Sequence, residues 1–184
     1  MPDSLKHIQE KPFYQLLFGK TALPIITILG ISLLYVILMS IIDHSTLPFH
    51  IIIAVAALGK TIVITVTTLK QLSKLMKICH SLERLLWVFG LILIISIFSF
   101  ATDFTCLFQF SNTAFDGVPD YSNSYIYNLY HFFYFSVITF STVGYGDITP
   151  VSEIAKFVVM LEIFLSFFLI VFALANIKKI HINE

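Results

Sequence analysis

Charge is scarce in this sequence of 184 residues: Asp, Glu, Lys and Arg make up 12%, against 58% hydrophobic residues and a mean hydropathy of +0.91. An ordinary soluble domain has about a quarter of its residues charged, so that class is excluded and the chain belongs in a bilayer. The charge also has no net sign, with 11 basic and 11 acidic residues, which excludes a nucleic-acid binder recognised by bulk basicity. Cysteine is limited to Cys79 and Cys106. The topology read below puts these on opposite membrane sides, which excludes a disulfide within one subunit. The six histidines, His7, His44, His50, His80, His131 and His181, are scattered without metal-ligand or nucleophile spacing, so no enzyme and no cofactor is expected. No internal repeat is present. The first apolar run is long enough to span and lacks a small-residue cleavage site, which excludes a cleavable signal peptide. A chain of this length accommodates a few spanning helices, and no separate cytoplasmic ligand-binding domain is expected.

Residues 1–22 form an N-terminal segment with Lys6, Lys11 and Lys20 beside Phe13, Tyr14, Leu16, Leu17 and Phe18. The pattern suits either a short amphipathic helix at the inner membrane surface or a frayed terminus. Residues 23–81 hold two leading spans and a basic linker. The first span runs from Leu23 to Ile42, with Pro24 tolerated in its first turn, and the second from about Phe49 to Leu69. The connection Asp43–Pro48 has no Lys or Arg, as an external loop should.

Lys60 sits near the middle of the second span. A lysine at mid-membrane costs about 2.5 to 3.5 kcal/mol, so it either finds a partner or reaches an interface. Glu162, in the last span, lies at a matching depth of roughly 15 Å from the outer end, and the expectation is an intramembrane pair between Lys60 and Glu162. Lys70, Lys74, Lys77, His80 and Arg84 follow at helical spacing. Such spacing invites comparison with a voltage sensor, but only one of the five is arginine and no apolar run carries them. An amphipathic cytoplasmic linker obeying the positive-inside rule is the better reading.

Residues 82–184 begin with a third span, about Leu85 to Phe108, containing Ser96 and Ser99 and ending near Asp103. Gln109 to Leu129 is external, with Asn112, Asp116, Gly117, Pro119, Asp120 and Asn123 supplying turns. Tyr130 to Ser141 is aromatic and too short to span, so it reads as a re-entrant helix. A polar gap, Thr142-Val143-Gly144-Tyr145-Gly146-Asp147, then precedes the fourth span, Ser152 to Ile177, and the basic end Lys178, Lys179 and His181. With four spans, the basic clusters at the start, linker and end share one side and both termini are cytoplasmic, Lys156 being the external exception. A glycine pair with an aspartate is a surface turn in a soluble protein. In a membrane chain, irregular backbone survives only when walled in by protein or lining a water-filled cavity. Two glycines there permit positive φ, so that successive carbonyls can face one side.

Residues 82–179 resemble the pore module of the tetrameric potassium-channel family: outer helix, turret, pore helix, filter, inner helix. Thr139-Phe140-Ser141-Thr142-Val143-Gly144-Tyr145-Gly146-Asp147 resembles the family signature, with Ser141 in place of a common threonine. The resemblance implies an all-α membrane protein with four transmembrane helices, a re-entrant pore helix and a selectivity-filter loop, four chains around one axis. It implies K+ sites at Thr142, Val143, Gly144 and Tyr145, with Gly146 completing the filter loop, from backbone carbonyls and the Thr142 hydroxyl. Tyr134 and Phe135 take the places of a bracing aromatic pair. Asp147 should accept a hydrogen bond from the pore helix, and of the two aromatics only Tyr134 can donate one.

The inner helix departs from the family pattern. It has no glycine, and Ser166 stands where a hinge glycine often lies. Ser166, Ile170 and Leu174 are candidates for a cavity stripe or an apolar gate; helix packing is the other reading of such spacing. The function implied is passive K+ conduction by a homotetramer in the cell membrane, with lipid and K+ as partners and no cofactor beyond the permeant ions. A non-conducting sensor or regulatory subunit and a potassium-transporter subunit are the alternatives. The former is marked by a damaged filter and the latter by several degenerate pore loops in one long chain, and the sequence has neither.

Overall fold

A computed structural model describes Gly30, Leu33, Ile37 and residues 49–78, 82–119 and 124–181. The N-terminal segment, the external loop Asp43–Pro48, Cys79 and His80 lie outside the described residues. So does most of the first expected span, of which Gly30, Leu33 and Ile37 are helical.

Four helices follow: α1 (Phe49–Ile78), α2 (Leu82–Phe110), α3 (Tyr125–Phe140) and α4 (Glu153–His181). Between them lie two strands of two residues, β1 (Phe115–Asp116) and β2 (Thr149–Pro150). Among the described residues, Phe89–Phe110 and Glu153–Ala175 are long and apolar enough to cross a membrane, and the apolar stretch Ile51–Val66 is shorter. α1 does not stop at Leu69. It continues unbroken to Ile78, so Lys70, Lys74 and Lys77 prolong the second helix instead of forming a separate element.

Several hydroxyls inside the apolar helices are satisfied locally. The hydroxyls of Thr61, Thr65, Ser96, Thr102 and Thr105 donate to carbonyls three or four residues back, at 2.7 to 2.8 Å. This is how a hydroxyl is accommodated where water cannot reach it. α4 begins with a side-chain cap, the Ala155 N–H donating to Ser152 Oγ at 3.2 Å.

α1 packs on α2 and α4, and α3 on α2 and α4. The core holds a cluster of phenylalanines from three elements: Phe104 and Phe108 of α2, Phe115 of β1, and Phe132 and Phe135 of α3. Phe115 meets Phe132 edge-on at 4.8 Å and Phe104 meets Phe135 edge-on at 5.2 Å. Edge-to-face pairs at this range add about 0.5 to 1.5 kcal/mol each beyond the area they bury. The cluster fixes the short helix α3 against α2 and β1. α3 starts at Tyr125, five residues before Tyr130, and Asn128 is buried within it.

Candidate functional site

The loop after α3 is held by its own N–H groups. The Val143 and Gly144 N–H groups both donate to the Ile138 carbonyl, at 3.0 and 3.2 Å, and the Thr142 N–H donates to Thr139 O at 3.0 Å. The Ser141 hydroxyl closes the helix end on Val137 O at 2.7 Å. A peptide plane carries its C=O opposite its N–H. With the Val143 and Gly144 N–H groups turned onto α3, the carbonyls of Thr142 and Val143 face away from that helix.

Backbone handedness alternates along the same loop. Thr142, Gly144 and Gly146 have φ of 61°, 53° and 76°. The two glycines adopt this region freely. Thr142 does not: a β-branched residue at positive φ is an outlier, at a cost of about 1 to 2 kcal/mol. The sequence signal for this arrangement was the glycine pair; the third member, Thr142, carries no such signal. Ser141 to Asp147 are all exposed in the single protomer, Tyr145 by 71%.

The far end of the loop is clamped by the segment between α2 and α3. β1 and β2 pair antiparallel, Phe115 opposite Pro150 and Asp116 opposite Thr149. The Val151 and Ser152 N–H groups both donate to Ala114 O, at 2.9 and 3.2 Å. Gly117, at φ +78°, lies so close to the loop that a Cβ there would stand 1.8 Å from the Asp147 carbonyl oxygen. Gly117 stands among the turn residues of the sequence, where no signal marks a close approach.

The two aromatics of α3 part company. Phe135 is buried in the phenylalanine cluster, whereas Tyr134 is partly exposed. The Tyr134 phenol donates to the Asp147 carboxylate, and that bond, with lesser contributions from desolvation and nearby acidic groups, holds the phenol above its ordinary value.

Two expectations need correction. Lys60 pairs with Asp103 on α2 and not with Glu162: Nζ lies 2.6 Å from Oδ1, with the Ser99 carbonyl at 3.4 Å. Lys60 and Asp103 are 2% and 0% exposed, so the pair is fully inside the protein. Glu162, also buried, meets the Ser136 hydroxyl instead. The expectation failed because depth along a helix says nothing of the direction in which a side chain points. Ser166 also leaves the proposed stripe. It is buried in its own protomer and its hydroxyl donates back to Ile163 O at 2.9 Å, while Ile170 and Leu174 are exposed. Phe164, Phe167 and Val171 share that exposure and were not singled out from the sequence.

A family model described as "Ion channel" matches residues 88–182, just over half of the chain. Over 45 residues the chain is 49% identical to Potassium channel K2 of Plasmodium falciparum (isolate 3D7). That match covers 24% of this chain and 3% of the relative, so the chain spans a small part of that protein's length. No solved structure matches the chain.

Proposed function

Because this chain belongs to the ion-channel family, we propose that it conducts K+ passively and selectively across a membrane, as one of four identical subunits around a central pore. The observation that carries the reading is the Thr142 to Gly146 backbone, with positive φ at every second residue and its first N–H groups turned onto α3. A narrow loop with its carbonyls on one side can replace the hydration shell of a cation. In this reading the carbonyls of Thr142, Val143, Gly144 and Tyr145, with the Thr142 hydroxyl, supply stacked K+ sites in a loop completed by Gly146.

Exposure of the loop in one protomer supports assembly, since irregular backbone at membrane depth must be walled in by other chains. Tyr145 then packs against a neighbouring subunit. Tyr134 and Asp147 hold the loop from the outer side, and Phe135 anchors α3 from within. Ile170 and Leu174 face the axial cavity, with Phe164, Phe167 and Val171 on adjoining exposed faces. The helix before α1 supplies a fourth span, and both termini are cytoplasmic.

The test is flux from liposomes holding the purified protein under a K+ gradient, with K+ and Na+ compared and the K+ flux repeated with barium. K+ flux well above Na+ flux and blocked by barium is expected. Equal K+ and Na+ fluxes would overturn the selectivity, and absence of flux across voltage, pH and calcium conditions would overturn the conduction.

A further inference from the structure

Ser136 presents a problem of valence. Its Oγ lies 2.9 Å from the Ile97 carbonyl oxygen on α2 and also contacts Glu162 Oε1 on α4. A serine hydroxyl has one hydrogen to give, and a backbone carbonyl and an ionised carboxylate can only accept. If Glu162 were ionised, both neighbours would need the same hydrogen, and one contact would set lone pair against lone pair. With a proton on Glu162 both contacts have a donor: Glu162 gives to Ser136, and Ser136 gives to Ile97.

The balance of buried charge requires the same proton. Lys60, Asp103 and Glu162 are all buried. One cation with two acids is neutral only if one acid keeps its proton, and net charge inside a membrane protein is costly. Among the described residues, Asp103 holds the Lys60 ammonium, and Glu162 has a hydroxyl where a cation would stand. Glu162 Oε2 and Asp103 Oδ2 both lack a hydrogen-bond partner among the described residues, but Asp103 has the Lys60 ammonium 2.6 Å from its other oxygen, so the proton falls to Glu162.

We propose that Glu162 is a neutral carboxylic acid at the head of a relay, Glu162 Oε1–H to Ser136 Oγ–H to the Ile97 carbonyl, that ties α4, α3 and α2 at one point. It is a positioning residue. It acts through α3, whose Ile138 carbonyl receives the Val143 and Gly144 N–H groups. The groups facing it are Asp103 on α2, itself paired with Lys60 on α1, and on α3 the non-titrating Ser136. At alkaline pH, loss of the Glu162 proton turns the Ser136 hydrogen to the carboxylate, leaves Ile97 without its donor and adds a second negative charge beside Asp103. The relay goes beyond the conduction reading and holds whether or not the chain conducts.

The experiment is infrared spectroscopy of the full-length tetramer in lipid, read at the carbonyl stretch of a protonated carboxyl. The wild type should show that band at neutral pH, Glu162→Gln should lack it, and Ser136→Ala should shift it, since the carboxyl stays while its acceptor goes. A wild-type spectrum matching Glu162→Gln in this region would overturn the proposal, as would a band unmoved by Ser136→Ala. Should Glu162→Gln not assemble, the Ser136→Ala shift and loss of the wild-type band on alkaline titration decide the matter alone. In flux, Glu162→Ala should fall about tenfold at neutral pH, the effect of one buried hydrogen-bond group left unmet. Glu162→Gln should fall less and should lose the alkaline decline. A Gln variant that keeps the wild-type alkaline decline would assign that decline elsewhere and overturn the proton's role.

Discussion

Around the loop after α3, backbone meets backbone: Gly117 lies against the Asp147 carbonyl, β1 pairs with β2, and two N–H groups share Ala114 O. Deeper in the protomer the ties are between side chains, Lys60 with Asp103 and Glu162 with Ser136. The two regions fail in different ways. A backbone tie depends on conformation and on an absent side chain, so no second substitution repairs it. A side-chain tie depends on charge and hydrogen count, and its two partners can be exchanged together.

The largest effect is expected from Gly117→Ala. The added Cβ meets a backbone oxygen at 1.8 Å, and φ of +78° already disfavours any other residue. Loss of the proposed tetramer on size-exclusion chromatography, with loss of K+ flux, is the expected outcome; full assembly would show that the Thr142–Asp147 loop is not held by this approach.

Next in size is Lys60→Met, which strands the buried Asp103 carboxylate at a cost of about 3 to 5 kcal/mol. Lys60→Met with Asp103→Leu should recover most of the thermal stability in detergent. Lys60→Met with Glu162→Leu should not, and recovery there would return the pair to Glu162.

Tyr134→Phe should cause a smaller change, a lower K+ to Na+ flux ratio as Asp147 loses its donor. Because Asp147 holds the phenol above the ordinary tyrosine value, the contribution is whole below that ordinary value. It is lost as pH rises through the folded value, where the unfolded chain has already given up the proton. Wild type and Tyr134→Phe should therefore differ at pH 7 and converge under strongly alkaline conditions.

The smallest effects separate the exposed face of α4 from its buried one. Leu174→Asn should raise resting flux if the exposed apolar face restricts the cavity. Ser166→Ala, which removes only a hydroxyl bonded within its own helix, should change thermal stability by about 1 kcal/mol or less.

α2 and α4 were legible in the sequence because apolar runs of membrane length declare themselves, and the Thr142–Asp147 motif because six specified residues occur together. The partners were not. Asp103 looked like the polar end of a span, since what keeps it inside is a lysine on another helix. Gly117 looked like a turn, since the close approach belongs to a loop thirty residues on. Thr142 offered no sign of positive φ, because its own preference runs against it and the hydrogen bonds onto α3 impose it. Ser166, Ile170 and Leu174 have helical spacing, but spacing does not say which way a helix face turns.

The unbroken course of α1 from Lys60 to Ile78 has a mechanical consequence. A helix rises 1.5 Å per residue, so the basic end of α1 and the ion pair are joined by a rod of about 27 Å. A push or pull on that end, by lipid headgroups or by a neighbouring chain, reaches Asp103 and so α2, without needing a hinge in α4.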